Sequence, residues 1–289
     1  WEVSAAEKGG YQHFMLKEIM EQPEALRRAI SPRIKDGRVV FDDLKLPVEK
    51  MREFTRIFIV ACGSSYHVGM IGKYNLEHLL RRNVEVVLAS EFRYSDPIVD
   101  DKSLVIVISQ SGETLDTMAA LREAKKRGGY IISIVNVVGS SIARESDDVL
   151  YTWAGPEIAV ATTKAYSTQL AVLDMIGLAF GEVLGTVKKE EYNEAVAELQ
   201  KLPEKMEQFL ARPSPSTLPS ISTTILSSSS AATSTMRSDS RARSSSRRSA
   251  TSIPRLTPPA SSSTARSRSS RTARSLSRSA PTPRFSTRP

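Results

Sequence analysis

Hydroxyl side chains crowd into one short stretch, Ser109-Gln110-Ser111-Gly112-Glu113-Thr114. It stands directly behind the apolar run 104–108, four of whose five residues are β-branched. Ser109, Ser111 and Thr114 can donate O–H groups to an anion, Gln110 adds an amide, and Gly112 lets the backbone approach closely. Cys62-Gly63-Ser64-Ser65 follows another apolar run, 56–61, in the same way. This is hydrogen-bond donor chemistry, and it suits a phosphate carried on a polar small molecule. Simple helix capping by Ser and Thr explains one such stretch about as well. Two such stretches, each ending a strand and opening a helix, favour anion binding at helix N-termini.

Other candidates have plainer readings. Cys62 is expected to be a small strand-end residue beside the ligand and not a nucleophile, since no His stands near it in sequence. His67 and His78 fall on a predicted helix as packing or surface residues, and His13 lies in the segment before the first strand. With three His and one Cys there is no metal-ligand spacing, so neither metal nor cofactor is expected. Lys164 could reach a phosphate, but a surface lysine is the favoured reading.

The elements that must position these residues alternate along the chain. Apolar runs at 56–61, 84–90, 103–109, 130–136 and 147–153 predict strands. Helical spacing covers 66–82 and 114–128, then 160–184 and 188–210, the last with a break near Pro203. Two short helices split at Pro23 precede them. Continuous apolar strands alternating with helices predict an α/β fold, a doubly wound parallel sheet with helices on both faces. In such a sheet, ligands bind at the carboxyl ends of the strands, where the two hydroxyl stretches lie.

The overall charge of +8 is unevenly spread. Residues 213–289 hold 26 Ser, 13 Arg, no Lys and one acidic residue, Asp239, for a charge of +12; residues 1–212 therefore carry −4. The tail also lacks Gly and Val and has one large aromatic, Phe285. It cannot bury enough apolar area to offset an ordering cost of about 1–2 kcal/mol per residue, so a disordered tail without a packed core is expected. The single cysteine fits a reducing compartment. No apolar run approaches the roughly 20 residues of a membrane span. The sequence begins at Trp1 without a signal-peptide pattern, which suggests a fragment or a processed start.

"ACGSSYHVGM", "ASEFRYSDP", "SQSGETLDT", "VVGSS", "RESD" and "AGPEIAVATTKAYSTQL" together resemble the first sugar isomerase (SIS) domain of the glutamine–fructose-6-phosphate aminotransferase family. "AEKGGYQHFMLKEIMEQP" is similar to the segment that joins that family's glutaminase and isomerase parts. The likeness covers residues 1–212, with Ser64 where Thr is common and Thr162 where Ser is common. It implies a flavodoxin-like sandwich over 51–212, preceded by a linker or helical segment over 1–50. It implies that Cys62, Gly63, Ser64, Ser65, Ser109, Gln110, Ser111 and Thr114 hold fructose 6-phosphate, and that Glu157 and Val160 lie at the sugar. A cytoplasmic enzyme of amino-sugar synthesis, a homodimer when intact, is the corresponding expectation. The alternative is a stand-alone SIS module that senses sugar phosphates. Nucleic-acid binding by the basic tail is a distant third reading.

The family's chemistry moves glutamine nitrogen onto fructose 6-phosphate and isomerises the product. The resemblance implies a glutaminase nucleophile, a ring-opening lysine, a proton-moving carboxylate in a stretch like KLKEISYI, and a histidine in one like AAGELKHGPLSL. GC-rich codons for those two stretches, read one base later, give SSRRSATS and PPASSSTARSR. The chain has these at 245–252 and 258–268. Residues from about 213 onward are therefore expected to be the second SIS domain out of frame. The chain as written is expected to keep the substrate-binding shell and to lack turnover.

Overall fold

The computed structural model describes residues 7–211. The expectations of a coreless and out-of-frame tail, and that drawn from Trp1, fall outside these residues.

Five strands form one parallel sheet: β3 (Arg56–Ala61), β4 (Asn83–Leu88), β5 (Ser103–Ser109), β6 (Tyr130–Val135) and β7 (Asp148–Tyr151), in the order β4-β3-β5-β6-β7. Every pair is parallel. The expected doubly wound sheet is thus observed. β5 is central, and all seven of its residues are buried. That explains its uninterrupted apolar text: both faces must be covered.

Side chains alternate between two cores. Ile57, Ile59, Leu104, Ile106, Ile108, Ile132 and Ile134 enter one, with α4 (Gly63–Leu80) and α8 (Lys164–Leu184) over it. Phe58, Val60, Val105, Val107, Ile131 and Val135 enter the other, beneath α5 (Ala89–Phe92), α6 (Leu115–Lys126) and α7 (Ser141–Glu145). Ile106 is fully buried; truncation to Ala would cost about 2–5 kcal/mol. α8 is 21 residues long and apolar enough to cross a membrane by length and composition, yet 72% of its most apolar window is buried inside this fold. It is the central packing helix.

The remaining elements flank this sandwich. α1 (Phe14–Met20) and α2 (Gln22–Ile30) break at Glu21, with Pro23 in the first turn of α2. A small antiparallel hairpin, β1 (Ile34–Lys35) and β2 (Arg38–Val39), leads to α3 (Val48–Glu53). α9 (Lys189–Gln200) and α10 (Leu202–Leu210) close the described residues. Several boundaries differ from the sequence reading; α4, for one, runs over Gly63–Leu80 and not 66–82. β4 stops at Leu88 and the chain turns directly into α5. α8 starts at Lys164 and not at 160, because the Glu157 carboxylate takes the backbone N–H groups of Thr163 and Ala165 and fixes the start there.

Candidate functional site

The strand order reverses direction between β3 and β5: the chain leaves β3 for β4 on one side and returns to β5 on the other. At such a switch point the two βα connections splay apart and leave a crevice beyond the carboxyl ends of the strands. In register, Ala61 lies opposite Ile108, so Cys62 comes next to Ser109. The two hydroxyl-rich stretches therefore stand side by side at that crevice.

The first turn is Cys62 to Ser65. Cys62 is half-buried and receives the Thr117 hydroxyl at 3.7 Å. Gly63 begins α4 at φ 55°, a left-handed conformation that disfavours any side chain. Ser64 is exposed. Ser65 is buried, its hydroxyl donating to Gln169 Oε1 of α8 at 3.0 Å.

The second turn folds on itself. Buried Ser109 Oγ accepts the Gly112 N–H at 3.1 Å and lies 3.1 Å from Thr114 Oγ1. Ser111 Oγ accepts the Glu113 N–H at 3.2 Å, which leaves its own proton to donate. Gly112 has φ 67°, and a Cβ there would sit 2.0 Å from Ser140 Oγ. The carbonyls of Gln110 and Gly112 accept the N–H groups of Asn136 and Ile142, which ties the turn to the β6–α7 connection. Glu113 accepts the Ser141 N–H, and that bond holds its carboxyl below the usual range. Neither Cys62 nor Thr114, the N-cap residues of α4 and α6, returns a side-chain hydrogen bond to its helix. The free N–H groups and partial positive charge of both helix starts remain at the crevice.

Glu157 and Val160 lie on the segment 152–163, which leaves β7 at the same end of the sheet. Val160 is fully exposed. Glu157 caps α8 through N–H bonds at 2.8 and 3.3 Å, and burial pushes its carboxyl up. The turn of α8 bearing Gln169 lies five residues beyond Lys164, about 8 Å along the axis, so the Ser65–Gln169 bond fixes that helix start relative to the first turn.

Lys164, read from sequence as a surface residue, is 2% exposed and pairs at 2.6 Å with Glu21, the residue between α1 and α2. His78 follows its plain reading, bonding Glu191 of α9 at 2.8 Å. Thr117, Asn136 and Gln169 were not anticipated at the site. Thr117 stands one turn beyond Thr114 on the inner face of α6, and Asn136 follows an apolar strand. These spacings could have flagged both; Gln169 carries no such signal.

The SIS domain family model matches residues 50–179. A glutamine–fructose-6-phosphate aminotransferase of Clostridium tetani is 55% identical over 211 residues, and one of Clostridium acetobutylicum is 54% identical over 212. Each match takes in 73% of this chain and 35% of the relative, so the chain spans about a third of their length. Among solved structures, the C-terminal domain of glucosamine-fructose-6-phosphate aminotransferase from Francisella tularensis matches with TM-score 0.65 at 41% identity, over 68% of this chain and 55% of that one. A glucosamine-6-phosphate deaminase from Thermotoga maritima matches with TM-score 0.51 at 26% identity, over 66% and 54% of the two chains. Residues 50–179 are a SIS domain, and the chain is homologous to the isomerase part of the glutamine–fructose-6-phosphate aminotransferases.

Proposed function

We propose that the crevice between the β3–α4 and β5–α6 turns binds a phosphorylated ketose, fructose 6-phosphate. The phosphate is held by Ser109, Ser111, Thr114 and the helix starts, with Cys62, Gly63, Ser64, Ser65 and Gln110 shaping the floor. The carrying observation is the pairing of two hydroxyl-bearing helix starts at the topological switch point. A dianionic phosphate needs several donors, and charge-assisted bonds of this kind are roughly twice as strong as neutral ones. The relatives' names carry fructose 6-phosphate as their substrate, which supports the sugar assignment. A crystal soaked with fructose 6-phosphate tests it: phosphate oxygens within hydrogen-bond distance of Ser109, Ser111 and Thr114 support the reading, and sugar bound elsewhere contradicts it.

Two further roles in this reading are indirect. Ser65 acts through Gln169 to set α8, and Glu157 acts as the cap that fixes where α8 begins. The chain as written holds substrate without turning it over, because the stretches matching the family's carboxylate and histidine read SSRRSATS and PPASSSTARSR. This assignment rests on reading residues from about 213 as the second SIS domain out of frame. A sensing module is disfavoured by the joining segment 6–23, whose text follows that of the aminotransferases.

A further inference from the structure

The segment 152–163 bears Glu157 and Val160 but contains no helix or strand. Its backbone is held by side chains from other elements. Asn136, at the end of β6, accepts the Thr152 hydroxyl and the Ala154 N–H at 2.9 Å each and donates to the Gly155 carbonyl at 2.7 Å. The other anchors come from α1 and α2, which precede the residues matched by the SIS family model. Glu18 of α1 is 2% exposed, and its Oε1 accepts the N–H groups of Ile158 and Ala159 at 2.6 and 3.0 Å. Arg28 of α2 donates to the carbonyls of Trp153 and Ala154 at 3.2 and 3.3 Å. Ala25 packs against Ala154 and Ala165, all three fully buried.

Two features show that these anchors impose a conformation. Trp153 sits at φ 54°, a left-handed value that a bulky residue adopts only where its surroundings over-determine it. Its carbonyl is one that Arg28 holds. Glu18 places a carboxylate in a nearly closed site with both bonds on Oε1 and none on Oε2 among the described residues. Such burial is costly without a structural return, and the return here is the fixed path of residues 158–159. The pair is itself locked to α8, through Gln22 to Ser167 at 2.5 Å and Glu21 to Lys164 at 2.6 Å.

We propose that Glu18 and Arg28 are positioning residues of the sugar site: α1 and α2 hold the segment 152–163 against the crevice, and residues 14–30 are part of the binding site. This rests on the sugar-phosphate reading above. On that reading the segment, which carries Glu157 and Val160, meets the sugar while 109–114 holds the phosphate, so loosening it lowers affinity for fructose 6-phosphate more than for inorganic phosphate.

The test compares the full chain with E18A, E18Q and R28M by calorimetry with both ligands, alongside amide hydrogen exchange. In E18A, exchange at Ile158 and Ala159 accelerates while β5 stays protected, and fructose 6-phosphate affinity falls about tenfold or more with inorganic phosphate affinity kept. E18Q, which retains an acceptor oxygen, recovers most of the loss. R28M, altering a half-exposed side chain outside the core, weakens the sugar ligand alone even if E18A fails to fold. Unchanged sugar affinity in R28M and in a folded E18A overturns the proposal while leaving the site standing. No binding by the unaltered chain removes the site reading and the proposal together, and equal loss for both ligands marks a general structural role and overturns it.

Discussion

Ser65 of α4 donates its hydroxyl to Gln169 of α8, 104 residues away, across 3.0 Å of buried space. This bond joins the first hydroxyl turn to the helix whose start Glu157 caps. Ser65 is buried, whereas its neighbour Ser64 is exposed. Gln169 Nε2 is buried and has no partner among the described residues. Replacing Ser65 with Ala leaves both polar atoms of that amide unsatisfied. A stability loss of about 1–3 kcal/mol is expected in urea unfolding. A loss in ligand affinity without a loss in stability would show that Ser65 contacts the ligand instead.

Ser111 is the expected phosphate donor whose removal disturbs the fold least, because its Oγ otherwise accepts only the Glu113 N–H. Ser111→Ala should weaken fructose 6-phosphate binding by about 10- to 100-fold, with stability nearly unchanged. Ser109→Ala should cost stability as well, since Ser109 is buried and braces Gly112 and Thr114. Paired melting curves and binding isotherms separate the two.

Asp174 of α8 gives a pH signature. Burial pushes its carboxyl up to about 6 from the ordinary 3.8, against a bond from Asn75 Nδ2 at 2.7 Å that favours the charged form. Its folded-state value is raised, so its contribution is full below 3.8 and is lost as pH rises through about 6. Asp174→Asn should therefore be more stable than the unaltered chain at pH 8, by roughly 1–3 kcal/mol, with the gain vanishing near pH 4. A gain that persists at pH 4 would contradict this.

The frame reading makes its own prediction. The chain as written should convert no fructose 6-phosphate to glucose 6-phosphate. A chain whose reading frame is set back by one base near codon 212, and which carries the ring-opening lysine, should do so. A coupled glucose-6-phosphate assay decides it; equal activity in the two contradicts the assignment of the chemistry to residues after 212.

Much of this fold is visible in the text. β5 announced itself because burial on both faces permits no polar break. The serines after it stood out because a buried strand end has no packing reason for three hydroxyls. The hairpin was missed although Asp36-Gly37, at φ 51° and 72°, is the dipeptide that a two-residue turn demands. Lys164 was misplaced for a different reason: its partner Glu21 lies 143 residues earlier, and no local pattern encodes that pairing. Nor could the sequence separate Ser64 from Ser65. One step on a helix turns a side chain by 100°, and the direction of the core depends on where α8 packs.

The central claim is that two helix starts at the β3/β5 switch point form a sugar-phosphate site. Titration calorimetry of fructose 6-phosphate into the full chain, with Ser111→Ala as the paired control, tests it most directly. Saturable one-site binding that weakens at least tenfold in the variant is the predicted result. Absence of binding, or an affinity that the substitution leaves untouched, would contradict the account.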